Sequence, residues 1–186
     1  MQTVLGRRGL LLGAGAAVAS LAAPAVVRAQ GFSAAGGVRR AALHNLHTGD
    51  TFNEVFYANG AYVPDALAEA MRVLRDWRNG EEHPMDPRLF DALHAINTRL
   101  ETSRPFQVIS GYRSPHTNAM LHERSAGVAE HSQHMLGKAS DVRVEGIDLR
   151  HLHSAALDVA AGGVGYYPVS NFVHVDVARV RQWTGV

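Results

Sequence analysis

The sequence predicts a single α+β domain with a central antiparallel sheet flanked by helices. Apolar residues at helical spacing occupy much of the stretch from 65 to 100, short alternating strands dominate after 139, and most links between them are short. At 186 residues the chain has about one domain's length, enough to bury a core without covalent staples, and it contains no cysteine.

The first residues stand apart from that domain. MQTVLGRRGLLLGAGAAVASLAAPAVVRAQ carries adjacent Arg7 and Arg8, an apolar small-residue run from Gly9 to Ala23, and Val27-Arg28-Ala29, whose outer positions suit a signal peptidase. Residues 1–29 therefore read as a cleaved export signal of the twin-arginine type. The apolar run is rich in Gly and Ala and falls short of the roughly 20 strongly apolar residues a spanning helix needs, so no stable membrane insertion is expected after cleavage. Residues 30–42, rich in Gly, Ala and Ser, read as a flexible lead-in, and 43–186 as the domain.

Loss of Arg7, Arg8 and Arg28 with the signal leaves 15 basic against 17 acidic residues. That balance offers no general attraction for nucleic acid or an anionic membrane surface. Without cysteine, any metal site must be built from histidine, carboxylate and water, which draws attention to the eleven histidines.

Taken in order, Leu43 to Tyr57 has strand-like spacing and a turn at Ala58-Asn59-Gly60, which reads as a small hairpin. Asp65 after Pro64 is expected to cap a helix carrying Leu67, Met71, Leu74 and Trp77 on one face and closed by Asn79-Gly80. Asp86 caps a second helix, with Pro87 in its first turn and Leu89, Phe90, Leu93, Ile96 and Leu100 along one side. Phe106 to Ile109 is a short strand, and Ser114-Pro115 opens a helix through Leu121. After a loop from Ser125 to Gly137 come a strand from Ala139 to Val144, a helix capped by Asp148 and ended by Gly162-Gly163, and two strands near Val164–Tyr167 and Phe172–Val177.

Three residues in this scheme suggest chemistry. His134 precedes Gly137 in a loop, Asp141 lies on the next strand, and His174 lies within NFVHVDV on the last one. Alternation sends Val142, Val144, Val173, Val175 and Val177 into the core and leaves Asp141, Phe172, His174 and Asp176 on the opposite face. If the two strands are neighbours, two imidazoles and one carboxylate converge, an open set suited to a catalytic zinc ion that acidifies water and polarises a carbonyl. A hydrolase is then expected. By spacing alone, a surface histidine and a carboxylate seven residues away also occur without any ion.

The longer strings are more specific. SQHMLGKASD fits S-x-H-x-x-G-x-A-x-D, the pattern of the zinc peptidases that include D-Ala-D-Ala carboxypeptidases, murein endopeptidases and the hedgehog signalling domain. With SGYRSPHTN upstream and GGVGYYPVSNFVHVDVARVRQW downstream, the chain resembles the bacterial murein endopeptidases of that superfamily from NLHTGD at 45 to Trp183. The resemblance implies a hedgehog-like fold, zinc on His134, Asp141 and His174, and Arg113 in the cleft to hold the carbonyl oxygen as it gains charge. It further implies a periplasmic enzyme acting on peptidoglycan peptide crosslinks, including bonds between diaminopimelate residues.

One position departs from that pattern. Several relatives carry an acidic general base three residues before the last histidine ligand, where this chain has Asn171. Asp176 is the substitute, and two roles stay open for it: taking the water's proton, or accepting the proton on His174's other ring nitrogen. Ser132 is expected to bond within the ligand loop, while Tyr166 and Tyr167 are cleft walls or buried aromatics. His131 reads as a solvated loop residue, with a proton-shuttle or substrate role as the alternative. A silent cell-wall or metal binder with the same fold is the competing reading, prompted by Asn171; D,D-carboxypeptidase activity is another, and no triad supports a serine hydrolase at Ser110 or Ser114.

Overall fold

The computed structural model describes residue 1 and residues 37–125 and 127–185. The export signal expected over 1–29 and the first part of the lead-in therefore lie outside the described residues, apart from residue 1. Among those described, no helix is long and apolar enough to cross a membrane.

β1 (Arg39–Asn45) and β2 (Thr51–Ala58) pair antiparallel, and β3 (Ala61–Tyr62) returns along β2. Asn59 and Gly60 both take positive φ between β2 and β3, as a two-residue hairpin turn demands. Four helices follow in the chain: α1 (Pro64–Val73), α2 (Pro87–Arg99), α3 (Pro115–Arg124) and α4 (Leu149–Val159). Three begin as their sequences predict, because Asp86, Ser114 and Asp148 each accept a hydrogen bond from a backbone N–H of the first turn.

α1 differs. Val63 occupies the cap position with no side-chain bond, Pro64 takes the first turn, and Asp65 lies inside the helix, where its charge favours the N-terminal end of the dipole. The helix also stops at Val73 instead of running to Asn79-Gly80. Buried Asp76 holds the segment beyond it in a loop, its carboxylate accepting from the N–H groups of Arg78 at 3.1 Å and Ser114 at 3.0 Å.

The lead-in is shorter than expected, since residues 39–42 are strand. Arg39 is drawn in by an ion pair of 2.5 Å to Asp91 on α2, a carboxylate that also accepts from the Tyr62 hydroxyl at 2.6 Å. Burial and that carboxylate push the Tyr62 phenol up to about 12.

The remaining strands are β4 (Phe106–Ser110), β5 (Ala139–Val144), β6 (Gly163–Tyr167), β7 (Phe172–Asp176) and β8 (Arg181–Thr184). All eight form one sheet in the order β3-β2-β1-β4-β5-β7-β6-β8. The α+β architecture is as expected, but the sheet is mixed: β1 runs parallel to β4, and β6 parallel to β8. β8 is not evident in the sequence, because RQWT is short and mostly polar and owes its strand conformation to pairing with β6. α4 ends at Val159, ahead of Gly162-Gly163, with Ala160 in the left-handed region, and Gly163 already belongs to β6.

Val108, Val142, Val144, Val164, Val173 and Val175 share one core with Leu89, Phe90, Leu93 and Ile96 of α2 and Leu152 of α4. Each fully buried side chain of this size contributes roughly 1.5–3 kcal/mol, more than a typical net hydrogen bond, so the sheet is anchored from that side. Its other side carries the cleft, lined by Asp141 and His174 together with the rings of Tyr167, Phe172 and Trp183. A single register row crosses it: Ser110 of β4 pairs with Asp141 of β5, Asp141 with His174 of β7, His174 with Gly165 of β6, and Gly165 with Trp183 of β8. The register of β4 shifts between Val108 and Ser110, the kind of local irregularity that re-aims a strand end.

Candidate metal centre

Asp141 and His174 meet because their strands are neighbours in register, and His134 arrives from a short 3-10 turn, Gln133–Leu136, just before β5. Ser132 starts that turn, its hydroxyl accepting from the His134 N–H at 3.3 Å, the bond within the loop that the sequence suggested. His134 Nε2 lies 3.2 Å from both Asp141 Oδ1 and His174 Nδ1, and His174 Nδ1 lies 2.9 Å from the same Oδ1. All three residues are buried.

The outer nitrogens decide which atoms face inward. His134 Nδ1 can only donate to the Gly111 carbonyl, 2.6 Å away, and His174 Nε2 donates to Asp176 Oδ2 at 3.1 Å. With both rings neutral, two imidazole lone pairs and a carboxylate oxygen point at one another, an arrangement that a shared cation satisfies. Tetrahedral ligands about 2.0–2.1 Å from zinc lie about 3.3 Å apart, close to the observed triangle. The donor set therefore fits a divalent ion of the zinc class.

Charge shifts express the same demand. Burial pushes His134 towards its neutral form. Burial opposes ionisation of Asp141, yet the imidazoles of His134 and His174 outweigh it and hold the carboxyl well below the usual carboxylate range. Burial also opposes a charge on His174, but hydrogen bonds to Asp141 and Asp176 raise its affinity for a proton. Two carboxylates thus bracket one ring, Asp141 at Nδ1 and Asp176 at Nε2.

Close approach of the main chain makes this possible at two glycines. A side chain at Gly111 would run into the backbone of Leu74, whose carbonyl accepts from Tyr112 N–H at 2.6 Å, so only glycine lets this strand end reach His134. At Gly165 a Cβ would sit 2.6 Å from the Trp183 ring, which instead lies over bare backbone with its centroid 5.1 Å from that of His174.

Arg113 reaches the same centre, with Nη2 3.6 Å from Asp141 Oδ2 and long contacts of 3.4 Å to Ser110 Oγ and Asn118 Oδ1. Its buried Nε has no partner among the described residues. Asp176 lies behind His174, fully buried, and its two oxygens also accept from Gly163 N, Ala178 N and the Arg181 guanidinium at 2.6–3.1 Å. Burial works against its charge, but these donors, His174 first, hold its carboxyl far below the usual range.

Two expected residues lie elsewhere. Asn171 is exposed in the turn before β7 with a φ of 54°, and it does not line the cleft. Tyr166 projects from the core side of β6 against the ring of His153, centroids 4.9 Å apart. Tyr167 is the residue that walls the cleft, its hydroxyl accepting from Trp183 Nε1 at 2.9 Å and its ring stacked on Phe172. Alternation along Gly163, Gly165 and Tyr167 carried that signal. Trp183 and Arg181 carried none, because nothing in RQWT announces a strand.

The sequence profile of the peptidoglycan L,D-endopeptidase MepK family matches residues 33–183. The chain belongs to the MepK family. It is 46% identical over 141 residues to the peptidoglycan L,D-endopeptidase MepK of Escherichia coli K12, covering 76% of this chain and 78% of that protein. The MepK of Shigella flexneri is equally similar, and the probable MepK of Haemophilus influenzae is 42% identical over 145 residues, 77% of this chain and 78% of that protein. No solved structure matches it. As a member of the MepK peptidase family the chain is an enzyme.

Proposed function

We propose that this protein is a zinc peptidase of the periplasm that hydrolyses amide bonds in peptidoglycan peptide crosslinks, delivered there by a twin-arginine signal over residues 1–29. The observation that carries this reading is the convergence of three buried acceptor atoms, from His134, Asp141 and His174, beside a guanidinium. A bound zinc ion supplies Lewis acidity, acidifying water and polarising the carbonyl to be cut. The relatives' printed activity, peptidoglycan L,D-endopeptidase, supports an internal L,D bond over trimming of terminal D-alanine, and bonds between diaminopimelate residues are the proposed target.

The protein's own groups do the rest. Arg113 offers a fixed, permanently charged donor where the carbonyl oxygen gains charge. Of the two roles open to Asp176, the surrounding donors support the orienting one: its lone pairs are committed to His174, Arg181 and two backbone N–H groups, which leaves little capacity for a proton from water. Ser132 fixes the ligand turn.

Purified mature protein is expected to convert muropeptide dimers joined through diaminopimelate into monomers, to stop on addition of a chelator, and to resume on addition of zinc. Unchanged dimers at full zinc occupancy reject the proposal. Arg113→Lys is expected to keep its metal and lose about 10²- to 10³-fold in kcat, the usual size for a lost oxyanion donor, checked by steady-state kinetics with metal analysis.

A further inference from the structure

We propose that His131 is the catalytic residue that carries the proton in amide hydrolysis, an inference that rests on the peptidase reading above. Hydrolysis needs a group that accepts a proton from water and returns it to the departing amine. The sequence position at which an acid was expected holds Asn171, which is exposed in a turn away from the cleft, and Asp176 is buried behind His174 with its oxygens occupied.

A cleft of about 890 Å³ opens in front of the three converging residues. The titratable or charged side chains lining it are Arg113, His131, Tyr167 and Arg181 together with the three ligands. Asp141 is the one carboxylate among them, and it belongs to the metal set. Both arginines are donors only, with Arg181 paired to Asp176, and the Tyr167 hydroxyl is engaged by Trp183 Nε1 at 2.9 Å. That leaves the imidazole of His131, whose two ring nitrogens can accept a proton and give it back.

Its setting differs from that of an ordinary solvated loop histidine. Asn118 Nδ2 donates to the carbonyls of Ala129 at 3.1 Å and Glu130 at 3.0 Å, and the Ser132 hydroxyl binds the His134 N–H, so the backbone is pinned on both sides of residue 131. Asn118 also receives a contact from Arg113, tying the loop to the carbonyl-binding side of the cleft. The His131 ring is exposed, lines the cleft, and makes no hydrogen bond, ion pair or ring contact among the described residues. Its ring nitrogens are free to work.

The step balances without any co-reactant. Water adds its oxygen to the carbonyl carbon and gives one proton to the His131 imidazole. The imidazolium then gives that proton to the amide nitrogen as the C–N bond breaks, releasing an amine and a carboxylic acid and restoring the neutral ring.

The test uses His131→Ala and His131→Gln in the mature protein, assayed on crosslinked muropeptide dimers with zinc content measured on the same samples. Both variants are expected to hold zinc at the parental level and to lose about 10²- to 10⁴-fold in kcat with KM within a few-fold. Added imidazole is expected to restore turnover in His131→Ala, a result that a merely structural role would not give. Loss of zinc in both variants, retention of more than a tenth of parental kcat, or absence of imidazole rescue each overturns the inference. An inactive parent at full zinc occupancy rejects the peptidase reading itself and this step with it, an outcome distinct from an active parent with active variants.

Discussion

Asp141→Asn is expected to abolish metal binding and turnover together, and to leave a protein whose melting temperature no longer responds to chelator. In the parent, a ligand that binds only the folded state stabilises it by RT ln(1 + [L]/Kd), about 4 kcal/mol at a thousandfold excess over Kd, so removing zinc lowers the melting temperature. The variant keeps the volume of residue 141 but replaces acceptors with an amide. Its Nδ2 can donate to His134 Nε2 or His174 Nδ1, which lie 3.2 and 2.9 Å from the present oxygen. The demand for a cation then disappears. Metal analysis and paired melting curves with and without chelator check this; a variant that still gains stability from zinc would contradict the assignment of Asp141 as a ligand.

The convergence of Asp141 and His174 was legible in the sequence because two kinds of order coincide there. Alternation along ASDVRV and FVHVDV puts valines on the core side and Asp141 and His174 on the other, and the pairing of β5 with β7 makes them register partners. Caps at Asp86, Ser114 and Asp148 were equally readable, since a cap is a local bond within two or three residues. What escaped depends on distant partners. β8 exists through its pairing with β6, the early start of β1 depends on Asp91 some fifty residues away, and the end of α1 depends on buried Asp76 reaching Ser114. The side of the sheet on which Tyr166 and Tyr167 project follows from the pairing of β6 with β7, which sets Gly165 opposite His174. Trp183 joins the cleft because Gly165 leaves it room, a match visible only once two strands sit side by side.

Asp176→Asn is expected to release zinc and activity together and to destabilise the fold by about 3–5 kcal/mol, the usual cost of breaking a buried, hydrogen-bonded charge pair. The carboxamide oxygen of the variant can still accept from Gly163 N and Ala178 N, which puts its NH2 group where the carboxylate oxygen now meets Arg181 and His174. Donor then faces donor. His174 can escape only by moving its proton to Nδ1, the nitrogen that faces Asp141 and His134, and a protonated Nδ1 cannot ligate an ion. Weakening of zinc affinity by at least 10- to 100-fold follows, the range seen when a ligand's supporting partner is lost. The pH dependence has a definite sign: Asp176 is held below its unfolded pKa, so its contribution is present above about pH 4 and is lost as acid protonates it in the folded state. Parent and variant should therefore differ most in stability near neutrality and converge as the pH falls well below about 4. A variant that keeps parental zinc content while turnover vanishes would instead make Asp176 the group that takes the water's proton, and would remove the need for His131 in that role.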